Sequence, residues 1–559
     1  MVNRNLVSFI SLVIVLSSWS NEVLAQVSVF SEINQMDDLR IKQVTGKDST
    51  SNASFNLRSS SVFYKLADPD RKFWQKNFGF ELRNVGFLNQ NNSTIGVGMN
   101  DGSLLPNVGI QNRVNLSLAL RWKRIILQLG PEFIQAENKD LPPFQLDPGD
   151  QNYMARYYLY TVNKIDNYWR YGNAKIERTL PGQSSLRYQN EQLSIGVSTE
   201  NIWWGPALRN SLVMSNHADN FPYLTLNTVK PLKTGIGSFE GQVIFGQLSN
   251  PEFEHPDHER MRGIWPGGIA KKDSAKRSIA GFMFSWTPKW VPNLYIGMAS
   301  TTSSNQSGAN RRLFAFPLFS TFKPITLGSF FIRYNLPKEN AEVYLELGRA
   351  DKMATPFNVI RDSIPMGYTA GVRKLVPING GKSHFLFGLE ITRLEMPDPR
   401  LIFVDNAPFG VPLTNSWYTS NDVTRGYTNN GQVLGAWIGP GSNSQTIQLG
   451  WIKGAKRIIL TGERVQHNND FYYYNYLNND LRTQYQNPQK HWADINATAQ
   501  IQWNIRNLML SGAWSYTSML NYRWVKLDGD FAGPSTLSDR RNTQVYASAV
   551  WYFNRKFLQ

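Results

Sequence analysis

The stretch Asn496-Ala497-Thr498-Ala499-Gln500-Ile501-Gln502-Trp503 alternates polar and apolar side chains without a break. Successive side chains of an extended strand point to opposite faces, so this run has one apolar and one polar face. The same alternation recurs along most of the chain. Phe78, Phe80 and Leu82 alternate with Gly79, Glu81 and Arg83, and Val343, Leu345 and Leu347 with Glu342, Tyr344 and Glu346. Ala280, Phe282, Phe284 and Trp286 share one side of another run, as do Val545, Ala547, Ala549, Trp551 and Phe553. A strand between lipid and a polar lumen needs this pattern, and about 9–11 residues suffice to cross at a tilt near 45°. Closing the sheet removes the edges that an open one would leave unpaired.

Composition points the same way. The 559 residues carry a net charge of +16, are 13% aromatic and include no cysteine. Mean hydropathy is −0.37. Disulfides, cysteine metal sites and thiol nucleophiles are excluded. A membrane helix needs about 20 consecutive apolar residues, and no such run follows residue 25. Tryptophans and tyrosines fall near strand ends, at Trp122, Trp286, Trp290, Tyr295, Tyr334, Trp451, Trp492, Trp503, Trp514, Trp524 and Trp551. Aromatic girdles at both membrane surfaces predict that placement, although a sandwich core would use aromatics too. Turn signals such as Pro148-Gly149-Asp150 and Asn379-Gly380-Gly381 punctuate the chain, and the stretches 249–277, 396–442 and 467–491 read as long connections. At roughly 25–30 residues per strand and connection, the length accommodates about 16–18 strands. No fixed-period repeat suggests a propeller or solenoid.

Residues 1–25 read as a secretory signal peptide: Arg4 precedes the apolar run Leu6 to Leu16, and Val23-Leu24-Ala25 suits a cleavage site. Residues 26–60 form a separate segment, in which Ile33, Met36, Leu39, Arg40, Ile41 and Val44 predict a short amphipathic helix stopped at Gly46. Residues 61–559 are read as the barrel.

Chemical signatures are sparse. Glu252, Glu254, His255, Asp257, His258 and Glu259 crowd one stretch, but their spacing matches no metalloprotease helix and Pro251 and Pro256 disfavour one; a solvated charged loop is expected. There is no G-x-S-x-G elbow, and His217 and His384 are the only remote candidates for a barrel hydrolase. No cofactor, metal or catalytic residue is expected. Two aromatic-polar stretches stand out. Asp470 to Asp480 contains Tyr472, Tyr473, Tyr474 and Tyr476, and Asn415 to Asp422 contains Trp417 and Tyr418. Flat amphipathic rings among amides and carboxylates can hold sugars, or can equally end an interfacial girdle. The excess positive charge lacks the clustered runs of a nucleic-acid binder and suits an anionic polysaccharide or lipopolysaccharide better.

Two blocks resemble one family. Trp203-Trp204-Gly205-Pro206, with Ser215-Asn216 and Phe221-Pro222 downstream, is similar to the W-G-P…S-N…F-P signature of the Wzi capsule-assembly outer-membrane proteins. Arg425-Gly426-Tyr427 with Gly431, running into Gly439-Pro440-Gly441-Ser442, resembles that family's second block. His217 stands where the family pattern has a small polar residue or Asn. The resemblance implies a barrel of about 18 strands, with a small N-terminal helical plug in its lumen. It also implies a lectin-like, non-catalytic activity in attaching capsular or other surface polysaccharide to the outer membrane. Both blocks are expected to be lumenal scaffold, and outer-membrane lipid and a monomeric state are further expectations. A porin or sugar channel is the alternative, followed by a hydrolase.

Overall fold

The structure is a computed structural model that describes residues 29–46, 73, 76–141, 151–305, 324–350, 366–396, 415–477, 491–524 and 539–553. The residues read as a signal peptide lie outside these.

Eighteen antiparallel strands close into a barrel. In chain order they are β1 (Phe78–Asn92), β2 (Gly109–Trp122), β3 (Ile125–Leu129 continuing as Glu132–Ala136), β4 (Ile176–Leu180 continuing as Ser185–Gln189), β5 (Leu193–Ser198), β6 (Tyr223–Thr228 continuing as Leu232–Thr234), β7 (Gly237–Leu248), β8 (Arg277–Pro288) and β9 (Leu294–Asn305). The second half comprises β10 (Ile325–Leu336), β11 (Ala341–Ala350), β12 (Met366–Ile378), β13 (Ser383–Arg393), β14 (Asn443–Lys453), β15 (Lys456–Gln466), β16 (Ala493–Ile505), β17 (Leu508–Leu520) and β18 (Arg540–Tyr552). Asn84–Asn92 of β1 pairs with Gln544–Tyr552 of β18, which closes the wall. One end carries tight turns such as Lys123-Arg124, Gly454-Ala455 and Arg506-Asn507, and the other carries the long connections. Outer-membrane barrels turn their short connections to the periplasm and their long ones outward.

Burial follows the alternation, inverted relative to a soluble protein. On β13, Phe385, Phe387, Leu389 and Ile391 are exposed on the outer face, whereas His384, Glu390 and Thr392 are buried inside. Likewise Val343 and Leu345 face out, and Glu342, Tyr344 and Glu346 face in. Trp122, Trp290, Trp503 and Trp551 form an exposed aromatic belt toward the short-turn end. Three of the strand-end aromatics depart from the girdle expectation. Tyr295 falls on the inward phase of β9, under the Arg333 guanidinium at 5.5 Å. Trp492 and Trp524 lie beyond the wall, in the outward mouth. Strand phase, and not residue type, decides which way such a ring points.

The lumen is filled with protein. The predicted N-terminal helix, α1 (Val29–Val44), enters at the short-turn end. There Ile41 and Val44 pack on Leu375, Leu386, Ile452 and Ile459. Arg40 meets Glu342 at 2.9 Å, Asp37 meets Arg373 at 2.6 Å, and Asp38 pairs with Arg457. Above it, two chain segments fold inward, 199–222 between β5 and β6 and 415–442 between β13 and β14. Their Trp204, Leu212, Trp417, Tyr418, Tyr427 and Leu434 pack against the wall residues Ile279, Met283, Leu327 and Phe331. Among the described residues α1 is the one helix in the lumen, so the filling is mainly irregular backbone. Such backbone is tolerated at membrane depth when it is buried in protein.

Candidate functional site

The two sequence blocks meet inside the barrel. Gly205 adopts φ +94°, and a Cβ there would lie 2.7 Å from the Glu346 carboxylate, so the turn after Trp204 needs glycine. Trp203 donates its indole N–H to the Ala207 carbonyl at 3.0 Å, and Trp204 donates to Gln242 Oε1 at 2.9 Å. Arg40 of α1 donates to the carbonyl of Pro206 at 2.7 Å. Ser215 bonds the Gly435 carbonyl, and its backbone N–H donates to the Leu434 carbonyl at 2.8 Å. Asn216 donates to the Asn100 carbonyl at 3.0 Å. Phe221 is buried against Tyr223 at the wall, and Pro222 accepts from the Gln247 amide at 3.0 Å.

The second block is tied just as densely. Arg425 reaches Asp166 at 2.7 Å. The Gly426 carbonyl accepts from Arg277 at 2.9 Å, and the Tyr427 hydroxyl accepts from Thr301 at 2.8 Å. Gly431 lies beneath Tyr171 at the end of a two-residue ribbon, Thr428–Asn429 against Gln432–Val433. Gly439, Pro440, Gly441 and Ser442 lead into β14, where the Gly441 carbonyl accepts from the Asn469 amide at 2.7 Å and Ser442 Oγ from the Asn468 amide at 3.0 Å.

Above these blocks three short helices cover the outward mouth: α2 (Gln151–Tyr160), α3 (His258–Ile264) and α4 (Asn469–Leu477). The stretch read from sequence as an aromatic-polar loop is therefore helical over Asn469–Leu477. Asn468 caps it, accepting the Phe471 amide at 3.1 Å. Met154, Tyr158, Tyr160, Val162, Met261, Met396, Phe471, Tyr472, Tyr474 and Trp524 form one apolar cluster under the cap. Tyr160 stacks on Tyr474 at 4.8 Å, and Tyr472 meets His491 at 3.9 Å.

The proposed sugar-stacking rings thus divide by exposure. Trp417, Tyr418 and Tyr472 have no exposed surface and Tyr474 almost none, so their faces are covered by protein. Gly348 and Gly367 of the wall give Trp417 its space: a Cβ on either would approach the indole to 2.8 or 2.9 Å. Tyr473 is half-buried at the edge of the cap. The side chain of Tyr476 lies outside the described residues.

Other half-buried aromatics, which the sequence reading did not single out as a binding group, line the mouth: Tyr157, Trp169, Trp492 and Tyr522. Trp492 stacks on His467 at 4.1 Å, meets Tyr522 edge-on at 5.1 Å and donates to Asp494 at 2.8 Å. Arg523 lies 4.1 Å above Trp169 and 5.3 Å from Tyr522. Asp257 approaches Arg523 at 3.8 Å. Partly exposed rings beside carboxylates, an imidazole and a guanidinium are groups that can grip sugar C–H faces and hydroxyls. The signal for them was dispersed over four separate connections, and folding brings them together.

The acidic stretch running into α3 is solvated only in part: Glu252, Glu254 and Glu259 are exposed as expected, and a short helix starts at His258 despite Pro251 and Pro256. His255, Asp257 and His258 are buried, and the His255 ring packs on Tyr168 at 5.6 Å and on Tyr158 at 5.9 Å. Burial holds His255 down to about 4, so it is neutral at pH 7. Burial pushes the Asp470 carboxyl up to about 7, although Ser416 and the Met396 amide bond it. Lys272, lowered by burial to about 8, bridges the mouth to the lumen through Asp166 at 3.3 Å.

The sequence matches the family described as capsule assembly protein Wzi over residues 107–513. No curated protein matches it. Among solved structures, the barrel is similar to Wzi of Escherichia coli, described as a carbohydrate-binding outer-membrane β-barrel involved in group 1 capsule assembly. That likeness has a TM-score of 0.55 at 10% identity and covers 95% of this chain and 99% of that one. OccAB2 of Acinetobacter baumannii aligns with a TM-score of 0.39 at 12% identity over 84% of this chain and 98% of that one. OccK2 of Pseudomonas aeruginosa, in complex with glucuronate, gives 0.37 at 9% over 84% and 98%.

Proposed function

The chain belongs to the capsule assembly protein Wzi family, and from that premise we propose that this outer-membrane barrel holds surface polysaccharide at its outward mouth without turning it over. The observation that carries the reading is the array Tyr157, Trp169, Tyr473, Trp492, Tyr522 and Arg523. Its five aromatics present half-buried rings at the one end of a filled barrel that faces away from the cell, and the buried Arg523 packs on Trp169 and Tyr522. Asp257 and Asp494 are buried beside them and hold Arg523 and Trp492 in place. Cations at the mouth suit an anionic glycan and the phosphates of lipopolysaccharide. The buried blocks 203–222 and 425–442 act as the rigid floor on which this array stands. Tyr472, Tyr474, Trp417 and Tyr418 support it from below, which changes the residues on which direct stacking is proposed.

The test is retention of capsular polysaccharide from the source strain on immobilised barrel in detergent. Trp492→Ala with Tyr522→Ala weakens binding about tenfold or more, the loss usual for an aromatic anchor, while the unfolding temperature stays within a few degrees. Unchanged retention removes the mouth from the binding site.

A further inference from the structure

We propose that the outer wall carries a binding site for one acyl chain of an anionic membrane lipid, at a place where four adjacent strands are interrupted at the same level. β3 breaks at Gly130-Pro131 and β4 at Pro181–Ser184, with Gly130 facing Gly182. β5 stops at Ser198, and β6 begins opposite it at Tyr223, because the chain between them has folded into the lumen. Beyond that level the wall between β4 and β7 is not strand against strand. Ile176–Leu180 is paired to Glu132–Ala136 along one edge. Toward β7 the space is occupied by the end of the folded-in segment, through the Arg178–Asp219 ion pair and the bond from the Gln247 amide to Pro222.

The dent left in the surface is a cleft of about 560 Å³ that opens on the lipid-facing side. Leu127, Leu129, Leu186, Val197, Leu224 and Phe245 line it. Four of them, Leu129, Leu186, Val197 and Leu224, are among the exposed apolar side chains of the wall. In a bilayer this face meets hydrocarbon and not water, so its occupant is an acyl chain. Charge decides the headgroup. Gln247 lines the cleft toward the outward end, and the exposed Lys276 ammonium lies 3.4 Å from its Oε1. An apolar groove below an amide and a cation matches a lipid phosphate above its chain. This site is separate from the mouth, and its failure leaves the polysaccharide reading untouched.

The experiment is native mass spectrometry of the full-length barrel, purified in detergent with dipalmitoyl phosphatidylglycerol or dipalmitoyl phosphatidylcholine. Wild type retains one phosphatidylglycerol, and retains phosphatidylcholine less. Val197→Trp and Leu186→Trp, at a cross-strand pair in the cleft, each fill it and lower retention about tenfold, as the loss of a few buried methylenes dictates. Lys276→Glu removes the preference for phosphatidylglycerol, and excess glycerol phosphate displaces nothing. Unfolding temperatures of the three variants identify any that misfold. Equal retention by wild type and both tryptophan variants overturns the proposal. So does equal retention of the two lipids by wild type, or displacement by glycerol phosphate.

Discussion

Trp417 and Trp492 are both aromatic residues in connections at the outward end, yet they have opposite surroundings. Trp417 has no exposed surface and fits between Gly348 and Gly367, so Trp417→Ala leaves a large cavity. Its cost is about 3–5 kcal/mol, measured by urea unfolding in micelles. Trp492 is half-buried, and its truncation reduces binding with much less effect on stability. A binding loss in Trp417→Ala without a stability loss would mean that its ring is reachable. Titration adds a second prediction at this scale. The folded pKa of His255, about 4, lies below the ordinary 6.5. Its contribution is complete above pH 6.5 and is lost as pH falls toward 4. Asp470 acts in the opposite sense: raised to about 7 from 3.8, its contribution is complete below 3.8 and is lost as pH rises toward 7. Between pH 4 and 6.5 the two slopes oppose each other and nearly cancel, so resistance of the wild-type cap to limited proteolysis changes little there. His255→Gln leaves the Asp470 slope alone, so resistance falls as pH rises from 4 to 7, and Asp470→Asn leaves the His255 slope alone, so resistance falls as pH drops from 6.5 to 4.

At the scale of elements, α1 is held by charge as much as by packing. Glu342 receives Arg40 and Arg333 at 2.9 and 2.8 Å, with Arg373 at 3.7 Å. Glu342→Gln leaves three guanidinium groups around a neutral side chain and costs about 3–5 kcal/mol. Deleting residues 29–46 removes the helix but not the blocks 199–222 and 415–442. We therefore expect single-channel current across a planar bilayer to stay far below that of an open porin in both forms; a large steady current in the deletion would show that α1 alone seals the lumen. The strands were legible because alternation is a local property: β16 can be read from eight residues. α1 was legible from its apolar spacing. The helix Asn469–Leu477 was not, since Phe471, Tyr472, Tyr473 and Tyr474 are consecutive and carry no period. The breaks at Gly130-Pro131 and Pro181-Gly182 could be read as turns, but not as a shared interruption, because pairing partners are far apart in sequence.

For the whole molecule, the charge of +16 overstates what a ligand meets. Arg83, Arg113, Arg187, Arg277, Arg333, Arg349 and Arg457 are buried in the lumen, several beside carboxylates such as Glu81, Glu200 and Glu342. Polysaccharide retention should still weaken as salt shortens the screening length from roughly 30 Å at 0.01 M to about 8 Å at 0.15 M. The change should be carried by exposed mouth cations: Lys271→Gln reduces the salt slope, and a lumenal substitution that keeps the fold does not. Salt-insensitive retention would reject an anionic ligand. Composition supplied the sign of this charge but not its location, which depends on strand phase.

The pairing of β1 with β18 also has a meaning in time. α1, the segment 199–222 and the segment 415–442 all precede the last five strands in the chain. As the chain is synthesised from its N-terminus, the whole filling emerges before the partner that closes β1. Segments that appear early generally organise first. The wall can then close around a lumen already packed, and substitutions at Trp204 or Trp417 should slow closure of a seam that lies far from them in sequence.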